Sequence, residues 1–164
     1  MTTMNLQDAI RRSILTEKSA MLFYQHAAAR MTDTAARKTF ELLAREEAEH
    51  AGQFFSLYQG TDLGDFATFI AHVPEGGSEW LGGLDAAEVA GLKERQAMEL
   101  AMKNEQQLEQ QLRHMAAMID DPQVRAVYLE NAESTHNHYM VIESEYARLM
   151  GMVHESDIDT YVRE

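Results

Sequence analysis

Cysteine is absent from this 164-residue chain, which excludes disulfides, iron–sulfur clusters and thiolate zinc sites. Proline occurs only twice and glycine nine times, so little interrupts long helices. Positive charge is also scarce: 14 lysines and arginines face 27 aspartates and glutamates, for a formal net charge of −13. A chain of that sign is repelled by nucleic-acid backbones and anionic membrane surfaces. No apolar run approaches the roughly 20 residues that a membrane span needs, and the opening MTTMNLQDAIRR lacks the features of a signal peptide. The expectation is a soluble cytoplasmic protein, with neither nucleic acid nor membrane as partner.

What the chain does contain is helix-forming. Apolar residues make up 45% of it, and Ala, Leu, Met, Glu and Gln are abundant. At this length one domain, 1–164, is expected. Apolar residues recur at helical spacing in four segments. The first runs from about Leu6 to Met31 with Asn5 as N-cap, the second from Asp33 or Thr34 to near Tyr58, with Gly60 as stop. The third covers roughly Lys93 to Ile119, preceded by a short helix that Asp85 and Glu88 would cap. The fourth opens at Asp121-Pro122, a cap followed by proline at the first helical position, and ends at Gly151. Short turns join the first helix to the second and the third to the fourth. Residues 59–84, with Trp80 as a packing anchor, suit a crossover along a bundle, and 152–164 reads as a short tail. The predicted fold is an all-α four-helix bundle of two antiparallel hairpins.

The two halves resemble each other. QHAAARM at 25–31 matches RHMAAMI at 113–119 with an offset of 88, which places Glu17 opposite Glu105. The second helix of each hairpin carries an ExxH motif, Glu47 with His50 and Glu133 with His136, at an offset of 86. The motif alone is weak, because 18 glutamates and 7 histidines in 164 positions give roughly 0.8 matches by chance. The arrangement is more specific, since each motif has a glutamate about 30 residues upstream in the partner helix. Positions i and i+3 share a helix face one turn apart, so a carboxylate and an imidazole can reach one metal. Four carboxylates and two imidazoles would balance two divalent ions, and mixed oxygen and nitrogen donors suit iron or manganese.

These segments resemble the ferritin-like superfamily and, within it, the rubrerythrin-like group. AIRRSILTEKSAMLFYQHAAARM is similar to the family's helix with a ligand glutamate followed seven residues later by tyrosine, REEAEH and AESTH to its ExxH segments, and AMELAMKNEQQLEQQL to its third helix. The resemblance spans residues 6 to 150. It implies a ferritin-like bundle with Glu17 and Glu105 as one-metal ligands, Glu47 and Glu133 as bridges, and His50 and His136 as terminal ligands of a di-iron centre. The implied reaction is reduction of hydrogen peroxide or O2 at a diferrous centre, in oxidative-stress defence. Without cysteine there is no rubredoxin domain, so electrons would come from a separate rubredoxin-like protein or reductase. Met102 and Leu108 flank Glu105 at three residues, where peroxidase-type members carry an extra glutamate, and the tail falls short of a bacterioferritin fifth helix. A homodimer is the implied assembly. The alternatives are iron storage or handling by ferroxidase chemistry, and a metal-stabilised bundle without activity.

Other polar residues can be placed by angle. Glu46 and Glu49 lie ~100° and ~200° around the helix from Glu47 and are expected at the surface or against neighbours. Tyr24 lies seven residues after Glu17, ~20° off the same face, and is a candidate group beside the ligands. Glu109 and Glu130 sit one turn from Glu105 and Glu133 as possible auxiliary ligands. His26 and His114 fall ~180° from their glutamates and His138 ~140° from Glu133, which points all three away from the centre.

Overall fold

The computed structural model describes residues 3–74, 88–89 and 91–162, with side chains from Asn5 to Gly151 within that range. The expected Trp80 anchor and Asp85 cap lie outside these residues. Among the described residues five helices have defined bounds: α1 (Thr3–Ala28), α2 (Thr34–Leu57), α3 (Phe66–Ala71), α4 (Glu94–Met118) and α5 (Pro122–Val162). There is no strand among the described residues. α1 pairs with α2 and α4 with α5 as two hairpins, and the hairpins meet through α2 and α5, the all-α bundle expected.

Local chemistry accounts for the boundaries. Asp33 caps α2, its carboxylate accepting the Ala36 amide at 2.9 Å. Asp121 Oδ1 accepts the amides of Gln123 and Val124 at 2.9 and 3.2 Å ahead of Pro122. At the start of α4, Gln96 Oε1 accepts the Lys93 amide at 3.0 Å. After α2 the chain turns sharply: a Cβ on Gly60 would meet the Tyr58 ring at 2.4 Å, and Gly64 has φ +72°. α3 then lies in the crossover, and Lys18 of α1 donates to the Phe69 carbonyl at 2.5 Å. Three predicted boundaries differ. α1 begins at Thr3 rather than after Asn5 and ends at Ala28 rather than near Met31, and α5 continues through Gly151 to Val162. An interior glycine costs a helix about 1 kcal/mol, too little to end one that is otherwise well formed.

Two apolar clusters fill the bundle. One gathers Phe23, Tyr24, Phe40, Met98 and Ile142, with Tyr24 edge-on to both phenylalanines at centroid distances of 5.5 and 5.1 Å. The other gathers Ile10, Ile14, Phe54, Leu112 and Tyr128. On every long helix a short polar stretch separates the two, around Glu17, Glu47, Glu105 and Thr135. This layer is closed above and below by side chains whose burial each contributes about 1.5–3 kcal/mol.

Candidate metal centre

All four long helices project into the polar layer. α1 supplies Glu17, α2 supplies Glu47 and His50, α4 supplies Glu105, and α5 supplies Thr135 and His138. Glu17, Glu47, Glu105 and Thr135 are 0% exposed, His50 5% and His138 2%. Donor atoms of Glu17, Glu47 and His50 lie within 4.8 Å of one another, as do those of Glu47, Glu105 and His138. Each trio could hold a metal ion, and Glu47 belongs to both, as a bridging carboxylate would.

The imidazoles are aimed and held. His50 Nδ1 lies 3.6 Å from Glu17 Oε2 and 3.8 Å from Glu47 Oε2, and its Nε2 is 2.8 Å from Ser134 Oγ. His138 Nδ1 lies 2.7 Å from Glu47 Oε1 and 3.9 Å from Glu105 Oε1, while its Nε2 is 2.7 Å from Glu46 Oε2. The rings stack at 5.2 Å, with planes 9° apart. A partner on the outer nitrogen fixes ring orientation and leaves the inner nitrogen for a ligand role. Asn131 Nδ2 donates to Gln53 Oε1 at 2.8 Å, the third of these α2–α5 pairs, which run in opposite chain directions. Tyr24 Oη donates to Glu105 Oε1 at 2.5 Å.

The electrostatics follow from crowding anions in a dry layer. Burial and the neighbouring Glu17 charge push Glu47 well above the usual carboxylate range. Burial also pushes Glu17 up, but contacts with Glu47 and His50 outweigh it and hold Glu17 low. His138 is raised to about 11, because the Glu105 and Glu47 carboxylates overcome the opposing effect of burial. Burial first, and then the Glu105 charge, raise the Tyr24 phenol well above its ordinary value, so it stays protonated.

The structure brings together four of the six predicted ligands, Glu17, Glu47, His50 and Glu105, and places Tyr24 beside them as expected. Glu133 and His136 stand elsewhere, on the outer side of α5. Arg113 reaches Glu133 at 3.5 Å, and His136 Nδ1 lies 3.0 Å from Glu109 Oε1. Glu109 is thus taken up in a surface network with Arg113 and His136, and Glu130 is exposed. His138, expected to face away, is the inward imidazole of α5, and Glu46, expected at the surface or against neighbours, is its partner. Glu49 and His114 are exposed and His26 half-buried, as expected of residues off the inner face.

The register between the halves explains the shift. Glu17 and Glu105, Glu47 and Thr135, His50 and His138, and the first residues of α2 and α5, Thr34 and Pro122, are all 88 positions apart. The literal ExxH match at an offset of 86 is two residues out of phase, which turns a helical side chain by ~200°. Applying the offset of 88 throughout would have selected His138.

Comparison with known proteins agrees with this architecture. The rubrerythrin family model matches residues 8–146. No curated protein matches the chain. Among solved structures, a hypothetical protein from Pyrococcus furiosus is similar, with a TM-score of 0.69, 20% identity, and 90% of this chain aligned with 91% of that one. That likeness shows the shared fold, and the match over most of the chain shows the family: this chain belongs to the rubrerythrin family.

Proposed function

We propose that the chain is a di-iron carboxylate oxidoreductase of the cytoplasm, reducing hydrogen peroxide or O2 with electrons from a separate donor protein. The observation that carries this reading is a set of buried donor atoms that face one another without an aligned hydrogen bond among the described residues: both oxygens of Glu17 and of Glu47, Glu105 Oε2, and Nδ1 of His50 and of His138, whose nearest approach is the 2.7 Å ion-pair contact of His138 Nδ1 with Glu47 Oε1. Buried polar groups are normally satisfied, and three carboxylates in a dry layer repel one another unless cations lie between them. Oxygen and nitrogen donors without sulfur suit iron, with manganese the other candidate.

When bound, two ferrous ions supply the two electrons that reduction of one peroxide to water requires. The chain's own residues do the rest. The apolar clusters on either side keep bulk water out of the layer. Glu46 is partly exposed, so the Glu46–His138 contact links the layer to solvent as a path for protons. Tyr24 holds one Glu105 oxygen in place and keeps its proton. A cleft of about 610 Å³ between α1 and α4 has Glu17 in its lining and is the side from which we expect small substrates to approach. A separate electron donor and a homodimer are the partners we expect.

Stopped-flow mixing of ferrous-loaded protein with hydrogen peroxide tests the activity. Iron oxidation well above the rate of free ferrous iron at the same pH is the expected result. Oxidation no faster than free iron would leave a metal-stabilised bundle without this chemistry.

A further inference from the structure

The ligand formula of four-helix carboxylate centres places a glutamate three residues before each of two histidines. Glu47 stands in that place on α2, but on α5 the residue three before His138 is Thr135. Thr135 is fully buried in the same layer, and its Oγ1 has no hydrogen-bond partner among the described residues. A helical threonine ordinarily turns its hydroxyl back to the carbonyl one turn earlier, so an unpaired one is a donor waiting for an acceptor. Threonine is also shorter than glutamate, which leaves room at the position that a fourth carboxylate would fill.

Charge points the same way. Three buried carboxylates and two neutral imidazoles leave two divalent ions with one positive charge uncompensated, and two ferric ions with three. Buried charge of that kind is costly until an anion joins it. The cleft between α1 and α4, lined by Arg12, His114 and Glu17 among others, is the surface depression that borders the layer.

We propose that the loaded centre takes one small monoanion from solution at this position, hydrogen-bonded by the Thr135 hydroxyl. Hydroperoxide, azide and short carboxylates share the required chemistry. This inference rests on the dinuclear reading above, and its test separates the two. Elemental analysis comes first: fewer than two irons per chain overturns both. Diferric protein is then titrated with sodium azide and followed by optical absorption. Wild type should bind one azide per chain saturably, whereas Thr135→Glu, which supplies the missing carboxylate, should keep two irons and lose the azide signal. Thr135→Val retains the shape without the hydroxyl, and should keep two irons while binding azide about tenfold more weakly. It decides the matter if the glutamate variant does not fold, because unchanged azide affinity in Thr135→Val overturns the proposal. With two irons present, absent azide binding in wild type or undiminished binding in Thr135→Glu overturns it and leaves the dinuclear reading standing.

Discussion

At the scale of single residues, the groups behind the ligands determine how well the centre is formed. Glu46 holds the outer nitrogen of His138 at 2.7 Å. Replacing it with glutamine removes the charge that orients that ring, and should lower metal affinity about tenfold in competition with a chelator. Tyr24→Phe removes the 2.5 Å donor to Glu105 from a buried layer. It should cost about 1–3 kcal/mol in chemical denaturation of metal-free protein; a smaller loss would mean that Glu105 is satisfied some other way. Most of the centre was legible in the sequence, because Glu47 and His50 keep the spacing that one helix face requires and the 88-residue offset between the halves pairs Glu17 with Glu105. The α5 contribution was not, because a literal Glu-x-x-His occurs two residues out of phase with the true inner face. That face is marked by Tyr128, Ala132, Thr135, His138 and Ile142, all buried, and threonine stands where the 88-residue repeat would place a glutamate, so no Glu-x-x-His points to it.

At the scale of the helices, caps made the boundaries readable while interior glycine did not. Asp33 and Asp121-Pro122 carry their own hydrogen-bonding instructions, whereas Gly151 lies inside α5, in its last third, and serves as no stop. A Cβ there would meet nothing within 4 Å, so Gly151→Ala should raise stability by about 0.5–1 kcal/mol, read from the denaturation midpoint. Asp33 accepts from both Arg148 Nη2, at 2.5 Å, and the Ala36 amide. These two contacts, Arg148 first, hold its carboxyl below the ordinary value of 3.8. A carboxyl lowered by folding stabilises the native state above its unfolded pKa and loses that contribution as pH falls through its folded value. Asp33→Ala should therefore cost about 1 kcal/mol at neutral pH, with the gap to wild type closing below about pH 4. A gap that stays constant to pH 3 would place the loss in packing rather than in the charge.

At the scale of the whole molecule, the bundle is an apolar solid cut by one anionic layer that joins all four long helices. Cations bound in that layer favour the folded chain by mass action, so a strong chelator should lower the thermal midpoint of metal-loaded protein, and added ferrous iron should restore it. The hairpin repeat and the crossover made this architecture readable, because helical periodicity and short turns leave few ways to bury four apolar faces. The centre itself is tested most directly by metal content per chain in two single variants, His138→Ala and His136→Ala. The buried cluster predicts two metals in wild type and in His136→Ala, and fewer than two in His138→Ala; loss of metal in His136→Ala with full retention in His138→Ala would contradict it.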